Sequence, residues 1–227
     1  EDFQKHFCGT HFFNPPRYLK LLEIIPGPNT DVVVLDFLMD YGKRYLGKTT
    51  VWCKDTPAFI ANRVGVFSIM WMFHHVKEKG YTVDEIDRLT GPVIGRPKSA
   101  TFRTTDVVGL DTLVHVSNGV KNNVPNDEMA DLFQIPDYIQ KMVDGKMLGD
   151  KTKQGFFKKT KTPEGKREIL VLAINSMDYG PRSKPKFASL EASKSIDDPG
   201  SRLKFLFGFK DRAGDFYRAH FSSLFAY

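Results

Sequence analysis

Cysteine is scarce in this sequence, because the 227 residues include only Cys8 and Cys53. Neither lies in a CxxC pair, and two cysteines in a chain of this length do not form the disulfide framework of a small secreted domain. We interpret both as small buried hydrophobic side chains in the reducing environment of the cytoplasm. Long hydrophobic runs are absent as well. No stretch approaches the ~18 apolar residues of a membrane-spanning helix, which predicts a soluble protein without a membrane span.

The sequence is basic, with 33 lysine and arginine residues against 27 acidic residues and a formal net charge of +6. The basic residues are mostly scattered and become dense only over residues 151–167. Such density is typical of a solvated face or a linker, and attraction of a phosphate-bearing ligand is the alternative. The chain has no nucleic-acid-binding motif and no platform of basic and aromatic residues, so we expect no nucleic-acid partner.

The pattern of apolar residues changes near residue 55. Residues 1–54 predict the order strand, strand, helix, strand, which is typical of the last third of an α/β domain. Thr56 and Pro57 then predict the N-cap and first turn of a helix that runs to about Lys79. This helix is apolar almost all round, which indicates a core helix or an oligomer contact.

The end of the chain has a different composition. Residues 158–200 are rich in Lys, Pro, Ser and Gly and predict a linker, interrupted by one strand-like segment at residues 168–173. Residues 201–227 become apolar and aromatic again and predict a further helix.

The first predicted strand contains an unusual cluster at residues 9–16, GTHFFNPP. His11 lies in this aromatic strand, Asn14 lies at its end, and Glu23 lies in the next strand. A carboxylate beside an imidazole fixes its tautomer, which is the usual arrangement of a general base. From spacing alone, a purely structural His–Glu hydrogen bond remains the alternative. Asn62, among apolar residues of the long helix, is either buried with partners or directed into a site.

Five segments resemble, in order, landmarks of the L-3-hydroxyacyl-CoA dehydrogenase family. Residues 9–16 resemble its Gly-x-His-Phe-Phe-Asn-Pro signature, and residues 21–25, LLEII, resemble the segment that supplies its glutamate. Residues 54–63, KDTPAFIANR, resemble the family's entry to its helical domain. The segments VGLDT at 108–112 and GDKTKQGFF at 149–157 resemble the two remaining landmarks.

The resemblance implies a fold that is mainly α. Residues 1–54 would be the C-terminal remnant of a Rossmann-type NAD-binding domain, and residues 55–157 the helical C-terminal domain of the dehydrogenase. Residues 158–227 would be a linker and the start of a second helical domain, as in larger multifunctional relatives, with an unfolded or swapped tail as the alternative. The family's helical domain also implies a homodimer.

The resemblance further implies a reaction, in which a 3-hydroxyacyl-CoA substrate is oxidised to 3-oxoacyl-CoA with NAD as cofactor, as in fatty-acid β-oxidation. His11 would be the general base for the 3-hydroxyl proton, and Glu23 would hold its imidazole. Asn14 and Asn62 would hydrogen-bond around the histidine and the substrate oxygens, favouring the charge that develops in the transition state. No metal site is expected.

Three features depart from the family pattern. Ala58 stands where the family usually has glycine, and we expect little consequence from an alanine early in a helix. Residues 93–99 differ from the usual proline-rich run, which puts local substrate contacts in doubt. No GxGxxG occurs in the chain, and the family's NAD fingerprint lies upstream of its catalytic histidine. The cofactor-binding residues are therefore unknown.

From this absence we expect the chain alone to bind NAD poorly and to be inactive, while a longer parent protein is the dehydrogenase. A non-catalytic helical dimerisation or binding module with a decayed site is the alternative function. The presence of His11, Glu23, Asn14 and Asn62 favours the enzyme, because a decayed site would be free to lose them.

Overall fold

The structure, a computed structural model, describes residues 1–227 and divides them into two compact units, Glu1–Arg63 and Val64–Tyr227. Each unit contains a three-stranded sheet. None of the helices combines the length and the apolar character that crossing a membrane requires.

The sheet of the first unit has the order β1-β2-β3, with β1 antiparallel and β3 parallel to the central strand β2. Leu22 and Ile24 of β2 form a small buried core with Leu35 of helix α2. The N-cap of α2 is Asp31, whose side chain accepts a hydrogen bond from the backbone N–H of Val33. The elements of this unit are α1 (Asp2–Lys5), β1 (Cys8–Phe12), β2 (Leu21–Pro26), α2 (Val32–Arg44) and β3 (Thr49–Trp52).

The second unit is built on helix α3, whose first residues still belong to the first unit. Phe73 of α3 packs against Phe102 and Phe156, with ring centroids 5.7 and 5.6 Å away, and all three rings are fully buried. The elements are α3 (Ala61–Glu78), α4 (Val83–Thr90), α5 (Phe102–Val108), α6 (Leu110–Asn123), α7 (Asp137–Asp144), β4 (Phe157–Lys161), β5 (Arg167–Ala173), β6 (Asp178–Pro181), α8 (Ala188–Ala192), α9 (Pro199–Gly208) and α10 (Arg212–Ala226).

The single helix predicted for residues 201–227 is two helices, α9 and α10. Helix α10 contributes Phe216 and Tyr217 to the core of the second unit, and both side chains are fully buried. The Tyr217 hydroxyl donates a hydrogen bond to the carbonyl oxygen of Leu89 at 2.8 Å. The end of the chain is therefore part of the second unit.

The prediction of a mainly α fold was wrong, although the strand-like segment predicted at residues 168–173 is present as β5. The region predicted as a linker contains the antiparallel sheet β4-β5-β6, so both units combine helices with a sheet. In β4 only the first residue, Phe157, is buried, whereas Lys159 and Lys161 are exposed and Lys158 and Thr160 are intermediate. β4 is an edge strand of its sheet, and lysines suit edge strands. The high lysine content therefore concealed the strand.

Asp106 joins helix α5 to the beginning of β4. Its side chain is buried, and its two carboxylate oxygens accept hydrogen bonds from the backbone N–H groups of Phe156 and Phe157, each at 2.8 Å. A Cβ atom added to Gly155 would lie 2.1 Å from Oδ1 of Asp106, and one added to Gly149 would lie 2.2 Å from its carbonyl oxygen. The absence of a Cβ atom at Gly149 and Gly155 therefore allows the backbone at these two positions to lie close to Asp106 and to each other.

We predict that removing the Asp106 carboxylate destabilises the chain. Burial raises the pKa of Asp106 to about 6, so the group is largely ionised at about pH 7.5. Asp106→Ala should lower the free energy of unfolding in urea by about 2 kcal/mol or more, because two buried N–H groups lose their acceptor. Asp106→Asn, which keeps one acceptor oxygen, should give an intermediate loss.

The matched control is Asp111→Ala, which removes an exposed carboxylate paired with Lys151 on the surface. This change should alter the free energy of unfolding by less than about 0.5 kcal/mol. Equal losses for Asp106→Ala and Asp111→Ala would contradict the anchoring role of Asp106.

Candidate active site

The histidine and the glutamate singled out in the sequence are in contact. In the antiparallel pair of β1 and β2, His11 is directly opposite Glu23, which puts both side chains on one face of the sheet. His11 Nδ1 lies 2.7 Å from Oε2 of Glu23. The Glu23 side chain is fully buried, whereas that of His11 is 30% exposed. Because a carboxylate only accepts hydrogen bonds, Nδ1 carries the proton, and the lone pair of the neutral ring is on Nε2.

The second carboxylate oxygen of Glu23 holds the beginning of helix α3. Oε1 accepts hydrogen bonds from the backbone N–H groups of Ile60 at 3.1 Å and Ala61 at 2.8 Å. These N–H groups have no acceptor within the helix, and the partial positive charge of a helix N-terminus favours a carboxylate there. The buried Glu23 side chain thus accepts three hydrogen bonds.

The prediction that α3 begins at Thr56 and Pro57 was wrong. The segment before Ala61 is a turn, in which the N–H of Phe59 donates to the carbonyl oxygen of Thr56 at 3.0 Å. Ala58 and Phe59 have φ values of +64° and +50°, in the left-handed region that ends a right-handed helix. The expectation that Ala58 lies early in the helix was therefore also wrong. Glycine adopts this conformation without strain, whereas a residue with a Cβ is about 1–2 kcal/mol less stable there.

Aromatic rings surround the imidazole of His11. The ring of Phe13 is 4.6 Å away between centroids, in an edge-on arrangement, and the ring of Phe59 is 5.5 Å away. Cys53 is buried at the end of β3, and its burial, with the charge of Glu23 nearby, raises the pKa of its thiol to about 11. Cys53 therefore remains a neutral thiol, as its interpretation as a small hydrophobic side chain requires.

The two asparagines do not take part in this hydrogen-bond network. Asn14 follows the end of β1 and precedes a cis peptide bond to Pro15, and Asn62 is the second residue of α3. Both side chains are exposed. The structure thus brings together two of the four predicted residues and leaves the other two at the surface, where their amide groups are open to a bound molecule.

Sequence reasoning missed the aromatic rings and the backbone of Ile60 and Ala61. Phe13 and Phe59 were visible only as members of the two motifs at residues 9–16 and 54–63. No local sequence pattern predicts that the backbone N–H of Ile60 donates a hydrogen bond to Glu23, a carboxylate 37 residues earlier in the chain.

Comparison with known families matches most of both units. The family described as "3-hydroxyacyl-CoA dehydrogenase, NAD binding domain" matches residues 2–56, and "3-hydroxyacyl-CoA dehydrogenase, C-terminal domain" matches residues 59–159. The two matched regions are thus those of one dehydrogenase family, an NAD binding domain followed by a C-terminal domain. The chain belongs to the 3-hydroxyacyl-CoA dehydrogenase family, whose cofactor is NAD.

Individual relatives agree with the family models. A protein from Bacillus subtilis described as a probable 3-hydroxyacyl-CoA dehydrogenase is 48% identical over 214 residues, which are 94% of this chain and 26% of that protein. A protein of the same description from Deinococcus radiodurans is 47% identical over 161 residues, 71% of this chain and 46% of that protein. The chain therefore spans between a quarter and a half of the length of these relatives.

Among solved structures, the (S)-3-hydroxybutyryl-CoA dehydrogenase of Ralstonia eutropha matches with a TM-score of 0.58 and 28% identity, covering 66% of this chain and 50% of that one. Together with the match to the NAD binding domain over residues 2–56, this likeness also contradicts a fold that is mainly helical.

We predict that Glu23 fixes the tautomer of His11. In Glu23→Gln the single amide oxygen can still accept from the N–H groups of Ile60 and Ala61, but the NH₂ group then faces Nδ1 of His11. The neutral imidazole should change to the tautomer with its proton on Nε2, so that Nδ1 accepts. Nitrogen-15 NMR of labelled histidines above about pH 8.5, where free imidazoles are neutral, reports this change.

His6 provides the internal control in the same spectra. Nδ1 of His6 lies 2.9 Å from the carbonyl oxygen of Asp2, and His6 forms no hydrogen bond with Glu23. The nitrogen-15 signals of His6 should therefore be the same in Glu23→Gln as in the unsubstituted chain. An unchanged His11 tautomer in a folded Glu23→Gln chain would show that Glu23 does not set it.

Proposed function

We propose that this chain supplies the general base and the C-terminal domain of an NAD-dependent 3-hydroxyacyl-CoA dehydrogenase. The observation that carries the proposal is the buried Glu23 carboxylate 2.7 Å from Nδ1 of a partly exposed His11. This arrangement leaves Nε2 as the basic atom of the imidazole. Family membership indicates the substrate class, a 3-hydroxyacyl-CoA, and the cofactor, NAD.

In the proposed reaction the O–H bond of the 3-hydroxyl group breaks and its proton passes to Nε2 of His11. A bound NAD would supply the hydride acceptor, so that loss of a hydride from the same carbon would leave a 3-oxoacyl-CoA. The imidazolium that forms is stabilised by the negative charge of Glu23 on the opposite side of the ring. Ile60 and Ala61 hold that carboxylate in place, so the ring keeps its orientation as its charge changes.

We assign Asn14 and Asn62 to the binding of the substrate oxygens. Both amide groups are exposed and can each donate a hydrogen bond. Asn62 directly follows Ala61, whose backbone N–H donates a hydrogen bond to Glu23. The carboxylate of Glu23 therefore also fixes the backbone from which the Asn62 side chain extends. Donors near the substrate oxygen favour the charge that develops in the transition state.

No residues of the chain are assigned to NAD. The sequence contains no GxGxxG, and the turn that leads into α2 reads PGPNTD at residues 26–31, which is not a phosphate-binding fingerprint. We therefore also propose that residues 1–227 alone are inactive, that residues 1–54 belong to the NAD-binding domain, and that residues 55–157 form the domain that follows it, with residues 158–227 completing the second compact unit.

The cellular setting is proposed on chemical grounds. Fatty-acid β-oxidation contains the proposed reaction, the oxidation of a 3-hydroxyacyl-CoA. The free thiols of Cys8 and Cys53 suit the reducing cytoplasm. A homodimer through the helical domain is supported by exposed apolar side chains, among them Val107 and Val108 at the end of α5, which are 59% and 54% exposed.

The role of His11 is tested in a chimera that restores a complete NAD-binding domain. The segment of the Deinococcus radiodurans relative that precedes its match to this chain is fused to Glu1, and NADH oxidation with acetoacetyl-CoA is measured. His11→Gln should lower kcat by about a thousandfold, because proton transfer by a positioned base contributes factors of about 10²–10⁴. The matched control His6→Gln changes an exposed histidine and should retain full activity.

Equal activity of the His11→Gln and unsubstituted chimeras would remove the general-base proposal. It would favour instead a non-catalytic helical binding module that has the fold of the family.

The chain of residues 1–227 should show no turnover in the same assay and no saturable binding of NADH in a fluorescence titration. The physical reason is that catalysis needs a positioned nicotinamide as well as the histidine. The active chimera is the positive control. Turnover by the purified, folded chain of 227 residues would show that its own residues hold the cofactor.

A further inference from the structure

A pocket with a cavity volume of about 490 Å³ lies in the second unit, well within the range of small-molecule sites. Helix α4, the loop that follows it, the beginning of α5 and the beginning of β4 form its walls, and residues 182–186 after β6 close one side. These five residues lie beyond the region that matches the C-terminal domain of the family, which ends at residue 159. The pocket is therefore a feature that the family match does not account for.

The lining of this pocket carries a surplus of positive charge. Its acidic members are Asp84, Asp87 and Glu191, so the six basic members exceed them by three. The basic side chains are Arg88, Lys98, Arg103, Arg182, Lys184 and Lys186.

Two of the acidic groups are already engaged within the protein. The buried Asp84 accepts hydrogen bonds from Nε and Nη2 of Arg182, at 2.9 and 2.8 Å, and from the N–H of Ser183 at 2.7 Å. Asp87 accepts hydrogen bonds from the backbone N–H groups of Thr101, Phe102 and Arg103 at the beginning of α5. Neither carboxylate is therefore free to neutralise a lysine across the pocket.

The remaining acid and two of the arginines are also paired. Glu191 interacts with Lys194 and lies 3.7 Å from Nη2 of Arg88. Arg103 forms a two-pronged pair with Asp150, at 2.9 and 2.6 Å. These contacts account for all the acidic members of the lining.

Three lysines of the lining have no such partner. Lys98, Lys184 and Lys186 are exposed and form no hydrogen bond or salt bridge within the chain, and Lys186 alone attracts an acid of the lining, because beside the hydrogen bond from Lys194 its charge helps to lower the pKa of Glu191. They come from two separate segments, the loop before α5 and residues 182–186. The guanidinium of Arg182, in the same lining, lies over the ring of the buried Phe157, 4.7 Å from its centroid, and donates a hydrogen bond to Asp84 at 2.8 Å. A guanidinium that is held in place in a pocket with exposed ammonium groups is well suited to phosphate.

We propose that this pocket binds a small molecule that carries two or more phosphate groups. A single phosphate group carries about −1.5 to −2 charges at pH 7, less than the surplus of three, and the volume exceeds what one phosphate fills. The site lies in a different unit from His11 and Glu23, and the proposal does not depend on the dehydrogenase activity.

The test is calorimetric titration of the full chain with inorganic pyrophosphate at low ionic strength. In Lys98→Gln/Lys184→Gln/Lys186→Gln the dissociation constant should rise by about tenfold or more, because three charge-assisted contacts are lost. The matched control is Lys77→Gln/Lys141→Gln/Lys204→Gln, which removes the same charge from exposed lysines of the second unit outside the pocket. This control should bind pyrophosphate like the unsubstituted chain.

Far-UV circular dichroism and the thermal midpoint check the fold, and both should be unchanged because the three lysines make no internal hydrogen bonds. Titrations with inorganic phosphate and coenzyme A complete the experiment, and phosphate should bind more weakly than pyrophosphate. If the triple lysine variant of the pocket also binds coenzyme A more weakly, the ligand of the pocket is a phosphorylated coenzyme. If only the binding of pyrophosphate is weakened, the ligand is a free polyphosphate. Equal effects of the two triple variants, or no binding of pyrophosphate below about 1 mM, would overturn the proposal.

Discussion

The carboxylate of Glu23 is the group on which both the candidate site and the local fold of the first unit depend. One oxygen binds His11, and the other binds the backbone N–H groups of Ile60 and Ala61, where α3 begins. The position of the imidazole and the starting point of the helix are thus fixed by one side chain. A substitution that shifts the beginning of α3 would therefore also shift Glu23, the hydrogen-bond partner of His11.

Burial of this carboxylate has a free-energy cost, since an ion that leaves water loses several kcal/mol of solvation. Three donors and the positive end of α3 offset that cost. An apolar residue of similar size at position 23 would avoid the desolvation but would leave two buried N–H groups without an acceptor. Glu23 at this position therefore has a structural role as well as the proposed chemical one.

The sequence was informative where the governing interactions are short in range. Pro15 and Pro16 separate two predicted strands, which puts His11 and Glu23 in neighbouring strands where they could face each other, and the structure shows that contact. The start of α3 was predicted wrongly because Thr56 and Pro57 carry a strong local helix signal, whereas the acceptor that fixes the true start lies in β2. The left-handed backbone at Ala58 and Phe59 is not indicated by their residue types, because neither residue is glycine. The lysine-rich strand β4 was missed because only its first residue, Phe157, is buried.

Buried carboxylates also bind backbone N–H groups in the second unit, and these contacts bear on the positive charge of its surface. Asp87 accepts the backbone N–H groups at the beginning of α5, and Asp106 accepts those at the beginning of β4. Each carboxylate fixes the start of an element that lies far from it in sequence, as Glu23 does in the first unit. Acidic side chains used in this way are withdrawn from the surface, so the surface is more basic than a formal charge of +6 suggests. The unpaired lysines beside Arg182 are one place where that excess becomes available to a ligand.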